Sequence, residues 1–101
     1  MHEITIEQAV AIIEQGAALI DVRDSAEYRD GHLPGAVNIP MGELPHRLAE
    51  IDRDRPVYVV CAVGNRSGAM TNVLTAFGFD AANVAGGTAA WVRSGRLIER
   101  S

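Results

Sequence analysis

The residues best suited to covalent chemistry lie in one stretch, Cys61-Ala62-Val63-Gly64-Asn65-Arg66-Ser67-Gly68, which holds the chain's single cysteine. A thiol becomes a strong nucleophile when its surroundings favour the thiolate, through cationic side chains, free backbone N–H groups or a helix N-terminus. Gly64 permits backbone conformations that let the loop curl and point its amides inward as a nest. Arg66 adds a permanent cation with several fixed donors. A helix expected to begin near Ser67 would present unbonded N–H groups and a partial positive charge. A lone cysteine at a strand end is most often a small buried hydrophobe, but Gly64 and Arg66 at the same junction outweigh that reading. Cys61 is therefore read as a catalytic nucleophile at the mouth of an anion-cradling loop.

Such a loop needs a strand behind it and a helix ahead. Val57-Tyr58-Val59-Val60 is the clearest strand in the chain. From Ala69 to Phe77 the spacing places Ala69, Met70, Val73, Leu74 and Phe77 on one helical face, with Gly78 as the stop. In open α/β sheets ligands bind at the carboxyl ends of strands, which is where Cys61 would fall. Upstream, Thr5 and Gln8 form a capping-box pattern for a helix carrying Ile6, Val10 and Ile13, with Gly16 as its stop. Ala18–Val22 reads as a buried strand, and Ser25 as the cap of a short helix carrying Tyr28. The turn Gly31–Gly35 follows, then a brief strand Val37–Ile39. Leu44, Leu48 and Ile51 suggest another helix with Pro45 near its start, and Arg53–Pro56 a solvated mixed-charge turn. Asn83–Ala85 would be the last strand, and Gly86-Gly87 would lead into a helix around Ala89, Ala90 and Trp91. Strands alternating with helices predict an α/β fold, a parallel sheet covered on both faces.

With 101 residues, the chain is expected to form one domain over 1–101. At 48% hydrophobic and 22% charged residues it has an ordinary globular composition. A formal net charge of -4 leaves no cationic face for phosphates, so nucleic acid is not an expected partner. Nor is a membrane, since no apolar run approaches the ~18 residues that span a bilayer. One cysteine cannot form an internal disulfide, and the N-terminus has no signal-peptide pattern. A soluble, cytoplasmic protein in a reducing compartment is expected. Cys61 and three scattered histidines lack the spacing of a zinc site, so no metal is expected.

Three ordered segments resemble the rhodanese-like sulfurtransferases. The first is Leu19–Arg23 with Glu27-Tyr28 and Gly31–Pro40, similar to that family's opening signature. The second is Cys61–Ser67, similar to its C-x-x-G-x-R-S loop, and the third is Val84–Trp91, similar to its closing motif. Thr88 is a departure, standing where a larger apolar residue is frequent. The resemblance implies a rhodanese-like parallel sheet with helices on both faces. It also implies sulfur transfer through a Cys61 persulfide, from a small-molecule donor such as thiosulfate to cyanide or a thiol, a protein thiol included, with no cofactor. Ala62, Val63, Gly64, Asn65, Arg66 and Ser67 would then cradle the bound sulfur, with Arg66 on the anionic end of the donor. Asp21 and Arg23, at the end of a predicted strand on the same side, are candidates to brace the loop through hydrogen bonds, with a structural role the favoured reading. A structural role is expected for His32, Trp91 and Met70.

Three other readings compete. A cysteine phosphatase or arsenate reductase uses a C-x5-R loop, whereas Arg66 gives C-x4-R here and Ser67 holds the position that pattern requires for arginine. A non-catalytic binding module of the same fold would usually lack the cysteine. A sulfur-relay component would share the loop and pass its sulfur to a protein.

Overall fold

The computed structural model describes residues 1–101. Its strands are β1 (Glu3–Ile4), β2 (Ala18–Asp21), β3 (Val37–Asn38), β4 (Val57–Val60) and β5 (Ala81–Val84). They form one parallel sheet in the order β1-β5-β4-β2-β3, the architecture expected from strand–helix alternation. Its helices are α1 (Ile6–Glu14), α2 (Ser25–Asp30), α3 (Asn65–Ala76) and α4 (Gly87–Arg93).

The sheet divides the core in two because successive strand residues point to opposite faces. On one face Ile20, Val57, Val59 and Ala81 pack with Met70 and Leu74 of α3 and with Leu44 and Ile51. On the other, Leu19, Val60, Ala82 and Val84 pack with Ile6 and Ala9 of α1 and Trp91 of α4. The central strands are buried on both faces, and this requirement selects their apolar runs. No helix is long and apolar enough to cross a membrane.

Local chemistry accounts for the boundaries. Thr5 Oγ1 accepts from the Gln8 N–H at 3.1 Å and the Thr5 N–H donates to Gln8 Oε1 at 2.8 Å, completing the anticipated capping box of α1. Ser25 is the first residue of α2 rather than its cap. Asp24 takes the cap position, and its N–H donates to Glu27 Oε1 at 3.2 Å.

The expected helix through Leu44, Leu48 and Ile51 is instead two 3-10 turns, Leu44–His46 and Leu48–Glu50. Pro45 falls in the first turn, where proline is tolerated, and the break comes at Arg47, which leaves helical geometry at φ -124. Leu44 and Ile51 reach the core regardless.

α3 begins at Asn65, two residues before the expected start, and its buried face differs from the predicted one. Ser67, Gly68, Met70, Thr71 and Leu74 face the sheet, while Ala69 and Phe77 are exposed. Polar and small residues on the packed side concealed that face from a reading based on hydrophobicity. β5 starts two residues before Asn83, and β1 was not anticipated, two residues being too few for a periodic signal. The 53–56 turn is more than a solvated connection. Arg53 Nη1 donates to Phe77 O at 2.6 Å at the end of α3, and its guanidinium lies over the Phe79 ring.

Asp21 and Arg23 form a buried fork. Arg23 Nη2 lies 2.8 Å from Asp21 Oδ2, Nε lies 3.1 Å from both carboxylate oxygens, and the Arg23 N–H donates to Oδ1 at 2.9 Å. Nη2 also donates to Gly31 O at 2.7 Å, joining the end of β2 to the end of α2. Removing one partner would strand a buried charge, which typically costs about 3–5 kcal/mol. Arg23→Ala is expected to lose stability on that scale in urea unfolding; a loss below about 1 kcal/mol would show that the pair contributes little to the fold.

Candidate active site

The loop leaves β4 at Val60 and enters α3 at Asn65, so Cys61 lies at the carboxyl edge of a central strand beneath a helix N-terminus. Its side chain is almost fully buried. Cys61 Sγ accepts hydrogen bonds from the Gly64 N–H and the Ser67 hydroxyl, both at 3.2 Å. Gly64 is the N-cap of α3 with φ +107, a left-handed geometry that glycine adopts without a Cβ penalty. The sulfur therefore takes the place of the capping side chain that α3 lacks.

Two opposing effects act on the thiol. Burial pushes its pKa up. The Ser67 hydroxyl, and then the backbone amides of Ser67, Gly64 and Val63, hold the thiolate and bring the balance below the usual thiol value. The structure thus brings together Cys61, Val63, Gly64 and Ser67 as the sequence reading expected, and finds in Ser67 a side-chain donor besides an amide.

α4 holds the loop from behind. Thr88 N and Thr88 Oγ1 donate to Cys61 O at 2.9 and 3.1 Å, and Ala89 N donates to Ala62 O at 2.9 Å. The helix can dock this closely because residue 87 is glycine. A Cβ there would lie 2.5 Å from Cys61 O and 2.7 Å from Ala62 O. Thr88, which the sequence shows only as a departure from an apolar residue, is a second donor to the carbonyl of the reactive cysteine.

Arg66 is not a free cation. Nη1 and Nη2 form a fork with Glu27 Oε1 and Oε2 at 2.9 and 3.0 Å, on a half-exposed flank where α2 meets α3. This pairing holds the Glu27 carboxyl below the usual carboxylate range despite partial burial. Sequence reasoning missed the role of Glu27 because one glutamate on a short helix reads as solvated.

Asp21 and Arg23 do not hydrogen-bond to the loop, and the loop-bracing candidate gives way to the structural role that the sequence reading favours. Their fork ties β2 to Gly31, while Asn38 Nδ2 donates to Asp21 O and Arg23 O. They frame α2, which in turn presents Glu27 to Arg66. Asn65 is exposed, and Ala62 contributes its carbonyl to the α4 contact. No group of three His, Cys, Asp or Glu residues is placed to hold a metal ion.

Reactivity should follow this geometry. Iodoacetamide alkylation of Cys61 is expected to slow as pH falls through the lowered pKa, since the thiolate is the reacting form. Ser67→Ala deletes one hydrogen bond to a charged acceptor, typically about 1.5–3 kcal/mol, so alkylation at neutral pH should slow about tenfold. An unchanged rate would mean that the hydroxyl does not stabilise the thiolate.

A family model described as Rhodanese-like domain matches residues 5–94. Thiosulfate sulfurtransferase GlpE of Pseudomonas savastanoi pv. phaseolicola is 40% identical over 86 residues, which cover 84% of this chain and 81% of the relative. Among solved structures, a rhodanese-related protein from Thermoplasma volcanium is 29% identical with a TM-score of 0.93, and 100% of each chain is covered. A rhodanese-like domain protein from Staphylococcus aureus is 34% identical with a TM-score of 0.89, covering 100% of this chain and 99% of that one. By this family match over residues 5–94 and this identity, the chain belongs to the rhodanese-like domain family.

Proposed function

We propose that this protein is a sulfurtransferase that carries a sulfane sulfur as a persulfide on Cys61. The observation that carries this reading is the convergence of the Gly64 amide and the Ser67 hydroxyl on a buried sulfur at the start of α3. An anion at that point is stabilised whether it sits on Sγ or on one further sulfur atom. Relatives named thiosulfate sulfurtransferase support the same activity.

In the first displacement the Cys61 thiolate attacks the outer sulfur of thiosulfate. A new S–S bond forms, the bond to the sulfonate sulfur breaks, and sulfite leaves with the electron pair. In the second, a nucleophile such as cyanide or a thiolate attacks the terminal sulfur and the Cys61 thiolate departs. This is covalent catalysis in two half-reactions, with ping-pong kinetics as its signature. Loop amides and the Ser67 hydroxyl hold the charge throughout, in the manner of an oxyanion hole. Arg66 spends two N–H groups on Glu27 and has others left for the anionic end of a donor. Asp21 and Arg23 act at one remove, by fixing the frame from which α2 presents Glu27.

Intact mass under non-reducing conditions tests this reading. After incubation with a donor and its removal, wild type should be one sulfur atom heavier. Cyanide should restore the original mass with matching release of thiocyanate, and Cys61→Ser should show neither change. With no second cysteine to form an internal disulfide, the loaded form should persist until an acceptor arrives. Absence of any mass gain across thiosulfate, polysulfide, glutathione persulfide and mercaptopyruvate would favour a binding module. Gain without discharge to small acceptors would point to a relay needing a protein acceptor. Hydrolysis of an aryl phosphate that disappears in Cys61→Ser would overturn the assignment in favour of a phosphatase.

Arg66→Ala should raise the KM for dianionic thiosulfate about tenfold more than for a donor with an uncharged reacting end, the cost of one charge-assisted bond. Equal losses with both donors would assign Arg66 to bracing α2 against α3.

A further inference from the structure

Asn83 is a costly residue for its position. It lies in β5 between Ala82 and Val84, is 2% exposed, and belongs to a strand buried along its whole length. Its Nδ2 donates to Glu3 Oε2 at 3.0 Å and to Gly64 O at 3.3 Å, while its Oδ1 meets no donor of the protein. The two acceptors fix which way the amide faces, since a flipped amide would set oxygen against oxygen on both sides. An orphaned buried oxygen typically costs about 1–3 kcal/mol, and an apolar residue at the same place would avoid it. Gly64 O already accepts from Gly68 N at 3.0 Å, so it does not need Asn83 to be satisfied. Backbone pairing of β1 with β5 is likewise independent of this side chain, through Asn83 N to His2 O and Ala85 N to Ile4 O.

What Asn83 does is grip Gly64, whose own N–H donates to the sulfur at 3.2 Å. Gly64 donates to Cys61 Sγ from one side and accepts from Asn83 on the other, in a left-handed conformation, φ +107. We propose that Asn83 is a positioning residue for the reactive thiol, clamped by Glu3 so that its amide holds the Gly64 carbonyl and keeps the Gly64 N–H on Cys61 Sγ. This rests on Cys61 being the reactive group of the proposed sulfurtransferase, but it is read from the thiol itself. The charged groups nearest the loop, Arg66 and its partner Glu27, take no part in the clamp.

The clamp predicts that stability and reactivity will separate. Asn83→Val replaces the orphaned oxygen with apolar surface and leaves Gly64 O bonded to Gly68 N, with Glu3 on the exposed edge. Thermal unfolding should therefore be unchanged or raised, while the midpoint pH of iodoacetamide alkylation rises and the rate at neutral pH falls several-fold. Glu3→Ala frees the amide and should move the midpoint the same way by less. Glu3→Gln keeps an acceptor oxygen and should restore wild-type behaviour. An unmoved midpoint in folded Asn83→Val overturns the proposal. If that variant does not fold, Glu3→Ala decides in its place, and an unmoved midpoint there overturns it equally. Wild-type protein that never gains sulfur mass would sink the sulfurtransferase reading while leaving these alkylation midpoints to judge the clamp alone.

Discussion

Each peptide plane carries its N–H opposite its C=O, so amides can face a sulfur only if the paired carbonyls face elsewhere. Buried carbonyls turned away in this manner still need donors. In this protein the donors come from α4 and β5. The first amides of α4 and the Thr88 hydroxyl take the carbonyls of Cys61 and Ala62, while Asn83 shares the carbonyl of Gly64. The arrangement depends on α4 approaching the loop to a distance that only a glycine at 87 allows. The Cys61 loop is thus shaped by a helix that begins 26 residues after the cysteine.

A second layer of constraint runs through charge. The Asp21–Arg23 fork closes the corner between β2 and α2, which leaves Glu27 facing α3. Glu27 and Arg66 then fasten the two helices across the mouth of the loop. The first pair is buried and geometrically fixed, and the second is half-exposed and open to competition from an incoming anion. This gradient from rigid to exchangeable suits the proposed sulfur-transfer site, with a fixed frame and an exchangeable rim.

Much of this was legible in the sequence where the physics is local. Val57–Val60 announces a buried strand by composition, Thr5 and Gln8 a helix start, and Gly64 near Cys61 a curled loop whose amide turns to the sulfur. Resemblance to a known family carried the fold. What escaped was tertiary. Glu27 looks like any surface acid until α2 is placed against α3, and Thr88 looks like a lapse from hydrophobicity until α4 meets Cys61. Asp21 and Arg23 lie where they were expected, but their hydrogen bonds turn toward Gly31 rather than the loop. The buried face of α3 is built from Ser67, Gly68 and Thr71 as much as from Met70 and Leu74, which no hydrophobic pattern reports. The 3-10 turns on either side of Arg47 show the reverse case, in which apolar spacing suggests a helix and the backbone breaks it at φ -124.

Glu3 and Asn83 are 80 positions apart, yet they are register partners at the edge of the sheet. Loop closure of that length must precede any reward from the contact, a feature associated with slow, late-forming structure. During synthesis Cys61 emerges well before β5 and α4, so for that interval it has no outward-turned carbonyls and no converging amides. A nascent or partly unfolded chain therefore carries an ordinary thiol, mostly protonated at neutral pH and slow to react with passing oxidants or sulfur donors. The lowered thiol pKa arrives only with the last strand and helix, so folding itself is the activating step.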